Sequence, residues 1–364
     1  MGLVVSAYGP LLEHLTRRFG VSLPAAGSVI SVHFAGGLAG VLVAMGTLTR
    51  FAGRWTVMVA LAVVSAGCIS VALAPVWPLF LGGIFVIGVG FGGLVIGLNQ
   101  LVAYSEGGRR AALLNGLNGA YSAGAVAGPI LIAAFAAGHF SLLYLLGGAA
   151  ALVLIPAVTG ISGRLPVTAG APGRPGLLAG IFVCAFVFYV GIENGAGGWM
   201  TSHLESTGIN PAAAATVTSG FWLAVVTGRL LIMLVPASVP ESAIVLGGSA
   251  AAAVCLLAAS IGPIAPVAYV LAGLAIAPIF PTAIVWFARL RPGDSRASAW
   301  LYPATSVGGI TGPGAIGLVV AGFGIRWVPL ILAAVATLMA VSFRLAARTA
   351  GRSTMTKEPG EPIE

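Results

Sequence analysis

Charge is what this chain has least of. Of 364 residues only 7% are charged, with 9 acidic side chains against 17 lysines and arginines, and Asp294 and Lys357 are the sole aspartate and lysine. That is too little polar surface to cover a water-soluble globule of this length, so a soluble fold is excluded. Cysteine is nearly as scarce. Cys68, Cys184 and Cys255 fall singly in apolar segments with no ligand spacing, which leaves no disulfide framework and no metal site and reads as small apolar packing. The sequence has no G-x-x-x-x-G-K-[ST] loop, no H-E-x-x-H and no nucleophile–base arrangement. An ATP-driven pump and an enzyme are therefore both disfavoured, and no cofactor and no metal are expected.

What the chain does have is apolar length. Hydrophobic residues make up 59% of it and mean hydropathy is +1.06. Eleven segments approach the roughly 20 apolar residues that a crossing of the hydrocarbon core requires: 25–47, 56–74, 79–103, 111–136, 141–162, 177–200, 212–235, 242–262, 264–288, 297–320 and 326–346. The 53 glycines and 22 prolines lie largely inside these runs, where they signify close packing and kinks. Met1 to Leu12 is a further apolar stretch that stops at Glu13, His14, Arg17 and Arg18. It is expected to be an incomplete first helix whose start lies upstream, and it lacks the basic leading region of a cleaved signal.

The basic residues orient the bundle. With both termini in the cytoplasm, Arg50, Arg54, Arg109, Arg110, Arg164, Arg174, Arg229, Arg289, Arg291, Arg296, Arg344, Arg348, Arg352 and Lys357 lie inside, and Arg17, Arg18 and Arg326 outside. This is the positive-inside pattern of a multi-pass plasma-membrane protein, so the net charge of +8 reports topology and not nucleic-acid binding. The expected organisation is an N-terminal six-helix bundle over 1–162, a Pro/Gly-rich cytoplasmic linker over 163–176, a C-terminal six-helix bundle over 177–348, and a disordered tail over 349–364.

The halves look duplicated. Ser122-Ala-Gly124-Ala-Val-Ala-Gly128-Pro129 returns 184 residues later as Ser306-Val-Gly308-Gly-Ile-Thr-Gly312-Pro313. Small residues at steps of four let two helix backbones approach closely within a membrane, and each proline interrupts its helix's hydrogen bonding. Gly88-Val-Gly90-Phe-Gly-Gly93 satisfies the dinucleotide pattern G-x-G-x-x-G, yet it lies inside an apolar run with no flanking strand and is set aside.

Twelve helices in two halves, a central linker and the repeated Gly-Pro helix resemble the major facilitator superfamily, which implies an all-α integral membrane fold. The loop Gly46-Thr-Leu48-Thr-Arg50-Phe-Ala-Gly53-Arg54 is similar to that superfamily's gating loop, with Arg50 where an aspartate is expected, and Gly228-Arg229 resembles a degenerate second copy. Headgroup anchoring accounts for these arginines equally well. Gly90-Phe-Gly92 with Asn99, Arg110 through Asn115, and Phe188 through Glu193 with Trp199 resemble the branch of fucose permeases and bacterial glucose and mannose symporters. The resemblance implies a proton-coupled sugar transporter acting on a small-molecule solute, and because one chain supplies both halves of the cavity a monomer is expected to suffice. Efflux of amphipathic compounds by proton antiport is the alternative.

Glu193 stands apart among the acidic residues. It lies well inside an apolar segment, where a carboxylate costs on the order of 3 kcal/mol, and a buried carboxyl is a ready proton carrier. His33 is the second proton-coupling candidate. Tyr189, Glu193 and Gly197 share one helix face at steps of four. Asn194, Asn99, Gln100, Asn115 and Asn118 offer amides to a polar solute or glue helices together, and Trp222 offers a ring for stacking, whereas Trp199 and Trp300 near helix ends are expected to anchor at the interface.

Overall fold

The computed structural model describes residues 1–48, 53–103, 110–160, 176–236, 238–291 and 301–355. Lipid offers backbone N–H and C=O groups no partners, so apolar runs of this length must satisfy them internally as helices. The helices are α1 (Gly2–Phe19), α2 (Leu23–Leu48), α3 (Gly53–Leu73), α4 (Trp77–Ala103), α5 (Arg110–Val158), α6 (Leu177–Ser206), α7 (Pro211–Leu231), α8 (Glu241–Ala258), α9 (Ala265–Ile276), α10 (Ile279–Leu290), α11 (Leu301–Phe323) and α12 (Val328–Met355). No strand occurs among the described residues, and eleven helical stretches there are long and apolar enough to cross a membrane. Local chemistry sets several ends. Gly20, at φ 64°, closes α1 in a left-handed conformation that glycine adopts at no steric cost. Asn210 accepts a bond from the Ala213 N–H at 2.9 Å ahead of Pro211, which opens α7.

Three boundaries differ from those read in the sequence. The segments expected over 111–136 and 141–162 form one 49-residue helix, α5. Straight, it would extend about 74 Å, more than twice a hydrocarbon core. Its contacts show that it doubles back. Gly124 and Gly128 lie against Leu3 and Ser6, and Phe140 lies against His14, all along α1. Arg18 then bonds both Ser141 and the Ala74 carbonyl, and Gly148 faces Ser65 and Cys68 of α3. The reversal near His139 restores two crossings. The segment expected over 264–288 is broken into α9 and α10 at Ala277-Pro278, where proline supplies no N–H to continue the ladder. Helix α12 continues to Met355, past the expected boundary at 348; the 163–175 part of the expected linker and residues 356–364 of the tail lie outside the described residues.

The end of the bundle at which α1, α3 and α6 finish is termed the top, and the end at which α3, α6 and α8 begin the base. Each half has an aromatic core. In the first, Phe80 packs on Trp77, Phe19 and Phe140, with the Arg18 guanidinium 4.6 Å over Phe140. In the second, Phe182 meets Phe287, Trp286 and Phe343 at 5.0 to 5.9 Å between ring centroids.

The duplicated octets perform the same packing in both halves. A Cβ at Gly124 would lie 2.8 Å from the Leu3 nitrogen, and one at Gly128 2.7 Å from the Leu3 carbonyl oxygen. In the second half a Cβ at Gly308 would meet Val187 and Val190, and one at Gly312 would lie 2.7 Å from the Gly191 oxygen. The 184-residue displacement that relates the octets also carries Leu3 to Val187 and Ala7 to Gly191. Helix pair and partner helix therefore repeat together, which is what a structural duplication requires.

Candidate functional site: a cavity between the halves

The two halves meet tightly at the top. The carbonyl of Gly197 lies against Gly9, the Trp199 ring covers Gly27, and Ile30 reaches Gly198. The Ser31 hydroxyl donates to the Ile310 carbonyl at 2.8 Å, and the Phe34 ring lies on Gly309. Glycine makes this seal possible, because with no Cβ a ring or a second backbone can rest directly on the helix.

Below the seal is a cavity of about 270 Å³ lined from both halves. Its first-half wall carries Phe34, Val41, Phe91, Val95, Ile96 and Tyr121; its second-half wall carries Tyr189, Glu193, Trp222, Val225, Arg229 and Phe280. Both described ionic side chains in it thus come from one half. Tyr189 and Glu193 project one turn apart from α6, and Arg229 approaches from the last turn of α7. Arg229 Nη2 donates to Glu193 Oε1 at 2.8 Å and to the Tyr189 hydroxyl at 3.3 Å, and Tyr189 donates to the same Oε1 at 3.2 Å. The Glu193 side chain is 13% exposed and that of Arg229 36%, so the pair is largely shielded, Glu193 more than Arg229. The guanidinium supplies the counter-charge and a charge-assisted bond that offset the cost of holding a carboxylate here.

Other candidates fall in different places. Asn194 lines the cavity, with its amide N–H bonded to the Val190 carbonyl at 3.1 Å. Trp222 is also in the wall, 6% exposed, and its Nε1 has no acceptor among the described residues. His33 is fully buried outside the lining, its Nδ1 3.0 Å from the Tyr8 hydroxyl and its ring enclosed by Phe34 and Phe91. Asn99 is exposed and turns back to the Val95 carbonyl at 2.8 Å. Asn118 is exposed and outside the lining, so of the stripe Asn115, Asn118, Ser122 only Ser122 is seen at the cavity. The side chains of Gln100 and Asn115, and all of Arg50 and Trp300, lie outside the described residues. Around the expected gating loop, a Cβ at Gly46 would meet nothing within 4 Å among the described residues, Gly53 is buried at the start of α3, and Arg54 sits 5.7 Å over the Trp55 ring.

Two readings need correction. Trp199 is not at an interface: it is fully buried, and its Nε1 donates to the Pro313 carbonyl at 3.1 Å. Its closeness to a helix end in sequence misleads because α6 runs on to Ser206. Arg229 does not sit free among headgroups either, since its guanidinium turns inward to Glu193. The signal available was its position inside an apolar segment, the same one that singled out Glu193. Tyr121, Phe34, Phe91 and Phe280 were missed, because an aromatic residue in an apolar helix carries no mark of whether it faces lipid, core or cavity.

Several solved transporters share this architecture. A D-xylose-proton symporter aligns over 94% of each chain at 14% identity and a TM-score of 0.73. A bacterial homolog to the human lysosomal transporter Spinster, inward-facing and occupied, aligns over 96% of this chain and 94% of its own at 16% identity and 0.74. The nucleoside transporter NupG aligns over 95% and 96% at 13% identity and 0.76. This is the major facilitator fold. Residues 1–180 also match the model of the Major Facilitator Superfamily, while no curated protein sequence matches. The family match and the major facilitator fold together support a multi-pass membrane transporter, and point away from an enzyme.

Proposed function

We propose that the protein is a secondary active transporter that moves a small solute by proton-coupled alternating access, with Glu193 as the proton carrier and Arg229 as its switchable partner. The observation that carries this reading is the ion pair itself, held in the wall of a cavity that lies between two duplicated halves. When Glu193 takes a proton, its bond to Arg229 loses its ionic character and Arg229 is released to other partners, so protonation and cavity contents are linked. On the positive-inside rule the base, with Arg54, Arg289 and Arg291 at its helix ends and Arg344 and Arg348 in the later turns of α12, is cytoplasmic, and the arrangement is inward-facing.

The fucose and glucose-mannose resemblance argues for a sugar. The cavity wall favours the alternative, an amphipathic solute: Phe34, Phe91, Val95, Ile96, Val225 and Phe280 dominate it, and Asn99 and Asn118 stand outside. Radiolabelled glucose and fucose counterflow in proteoliposomes, with and without an imposed proton gradient, decides between them. Saturable exchange that becomes uphill with the gradient would establish a sugar symporter; no exchange by folded protein would leave the amphipathic reading.

A further inference from the structure

The Arg229–Glu193 contact is a one-point contact. A single nitrogen, Nη2, makes the bonds to both Glu193 Oε1 and Tyr189, and among the described residues Nε and Nη1 donate to no one. Trp222, in the same wall and nine-tenths buried, adds an indole N–H with no acceptor among those residues. Guanidinium and indole donate only. The cavity therefore combines surplus donors, one of them cationic, with aromatic and aliphatic walls. A planar, acceptor-only anion with an apolar body satisfies both features, and a carboxylate matches the geometry of the guanidinium edge. A sugar fits less well, because each hydroxyl brings a donor of its own and, among the described residues, the other polar groups of the wall are few: Tyr121, Tyr189, Ser122, Asn194, Thr305 and Ser306.

We infer that the solute is a small apolar monocarboxylate that binds by taking Arg229 from Glu193, and that this exchange is what couples it to a proton. The inference rests on the transport reading above. The empty site holds one cation and one carboxylate. Docking of R–COO⁻ on the Nε/Nη1 edge places two carboxylates at one guanidinium. Like charges so close in a shielded cavity disfavour joint ionisation, so Glu193 accepts one proton from water at the base: Glu–COO⁻ plus H⁺ gives Glu–COOH. No bond in the solute forms or breaks. The loaded site, with R–COO⁻, Arg229 cationic and Glu193 neutral, has the same net charge as the empty one, so solute and proton move together without net charge. Among the described residues the other titratable groups facing the pair are phenols, Tyr189 on α6 and Tyr121 on α5, the latter within electrostatic reach of both charges.

The test uses the purified full chain in lipid nanodiscs, titrated with benzoate and phenylacetate and, for comparison, benzamide and benzyl alcohol. Tryptophan fluorescence reads binding, and a pH dye in weak buffer reads protons. The carboxylates are expected to bind at least about tenfold more tightly than the neutral analogues, with about one proton taken up per carboxylate bound near neutral pH. Glu193→Gln should bind carboxylates with no proton uptake. Arg229→Gln strands the Glu193 charge and risks misfolding, so the decisive variant is Glu193→Gln with Arg229→Gln, which removes both charges and should lose carboxylate affinity by about tenfold or more. Benzamide binding as tightly as benzoate, an unchanged benzoate affinity in the double variant, or no benzoate or phenylacetate binding by folded wild type would each overturn the inference. The two readings fail separately: proton-driven accumulation of glucose without carboxylate binding sinks the monocarboxylate alone, whereas proton-linked carboxylate binding with no movement of benzoate or phenylacetate across a sealed vesicle sinks transport.

Discussion

Glu193 is the residue on which most depends, and its chemistry is set by two neighbours. Glu193→Gln keeps the shape and imitates the protonated acid, so the protein should fold, lose uphill accumulation and retain exchange; unaltered proton-driven accumulation in proteoliposomes would remove Glu193 from the coupling step. Tyr189→Phe deletes two hydrogen bonds, the one donated to Glu193 Oε1 and the one accepted from Arg229. It should lower stability by about 1 kcal/mol, read as a modest drop in melting temperature, while leaving the ion pair in place. The importance of Glu193 was legible in the sequence because a carboxylate amid apolar residues has no inexpensive explanation. The role of Arg229 was not, since the two lie 36 positions apart and only the packing of α7 on α6 brings them within 2.8 Å. His33 shows the converse: a histidine in an apolar segment invites a functional reading, and the structure places it against Tyr8, Phe34 and Phe91, outside the cavity.

At the scale of the helix, the same residue type has opposite meanings along α5. Gly124 and Gly128 lie against α1, whereas a Cβ added at Gly116 or Gly119 would meet nothing within 4 Å among the described residues. Gly128→Leu, Gly308→Leu and Gly312→Leu should each force their helix pair apart, at a cost of about 1 to 3 kcal/mol or more, visible as lost expression or a lowered melting temperature. Gly116→Ala and Gly119→Ala should be tolerated and gain slightly in helix propensity, by up to about 1 kcal/mol. Equal damage from both sets would show that glycine flexibility, and not close approach, is what the motif supplies. The octet spacing disclosed the small-residue stripes. Which helix each stripe met was hidden, because a stripe of glycines fits any backbone, and the selection of α1 and α6 comes from the way the remaining helices close around them.

For the whole molecule the close contact of the two halves at the top matters most. A Cβ at Gly314 would lie 3.9 Å from the Ser31 Cβ, within the range that a disulfide bridges. In a Cys184→Ala background, since Cys184 is exposed, the pair Ser31→Cys and Gly314→Cys should cross-link on mild oxidation and arrest transport, and reduction should restore it. Full activity in the oxidised state would mean that α2 and α11 do not separate during the cycle.

Hydropathy and charge placement determine that the chain spans the membrane many times, and the recurrence of one octet determines that it does so as two related halves. These are readable because lipid imposes a length, a polarity and a backbone-bonding rule on each segment independently. The tertiary structure alone decided that α9 and α10 part at Ala277-Pro278, that Trp199 is core and Trp222 wall, and that Glu193 meets Arg229 beneath a glycine-built seal. Each of those depends on which face of a helix meets which neighbour, and in an apolar helix flanked by apolar lipid, composition alone does not distinguish the faces.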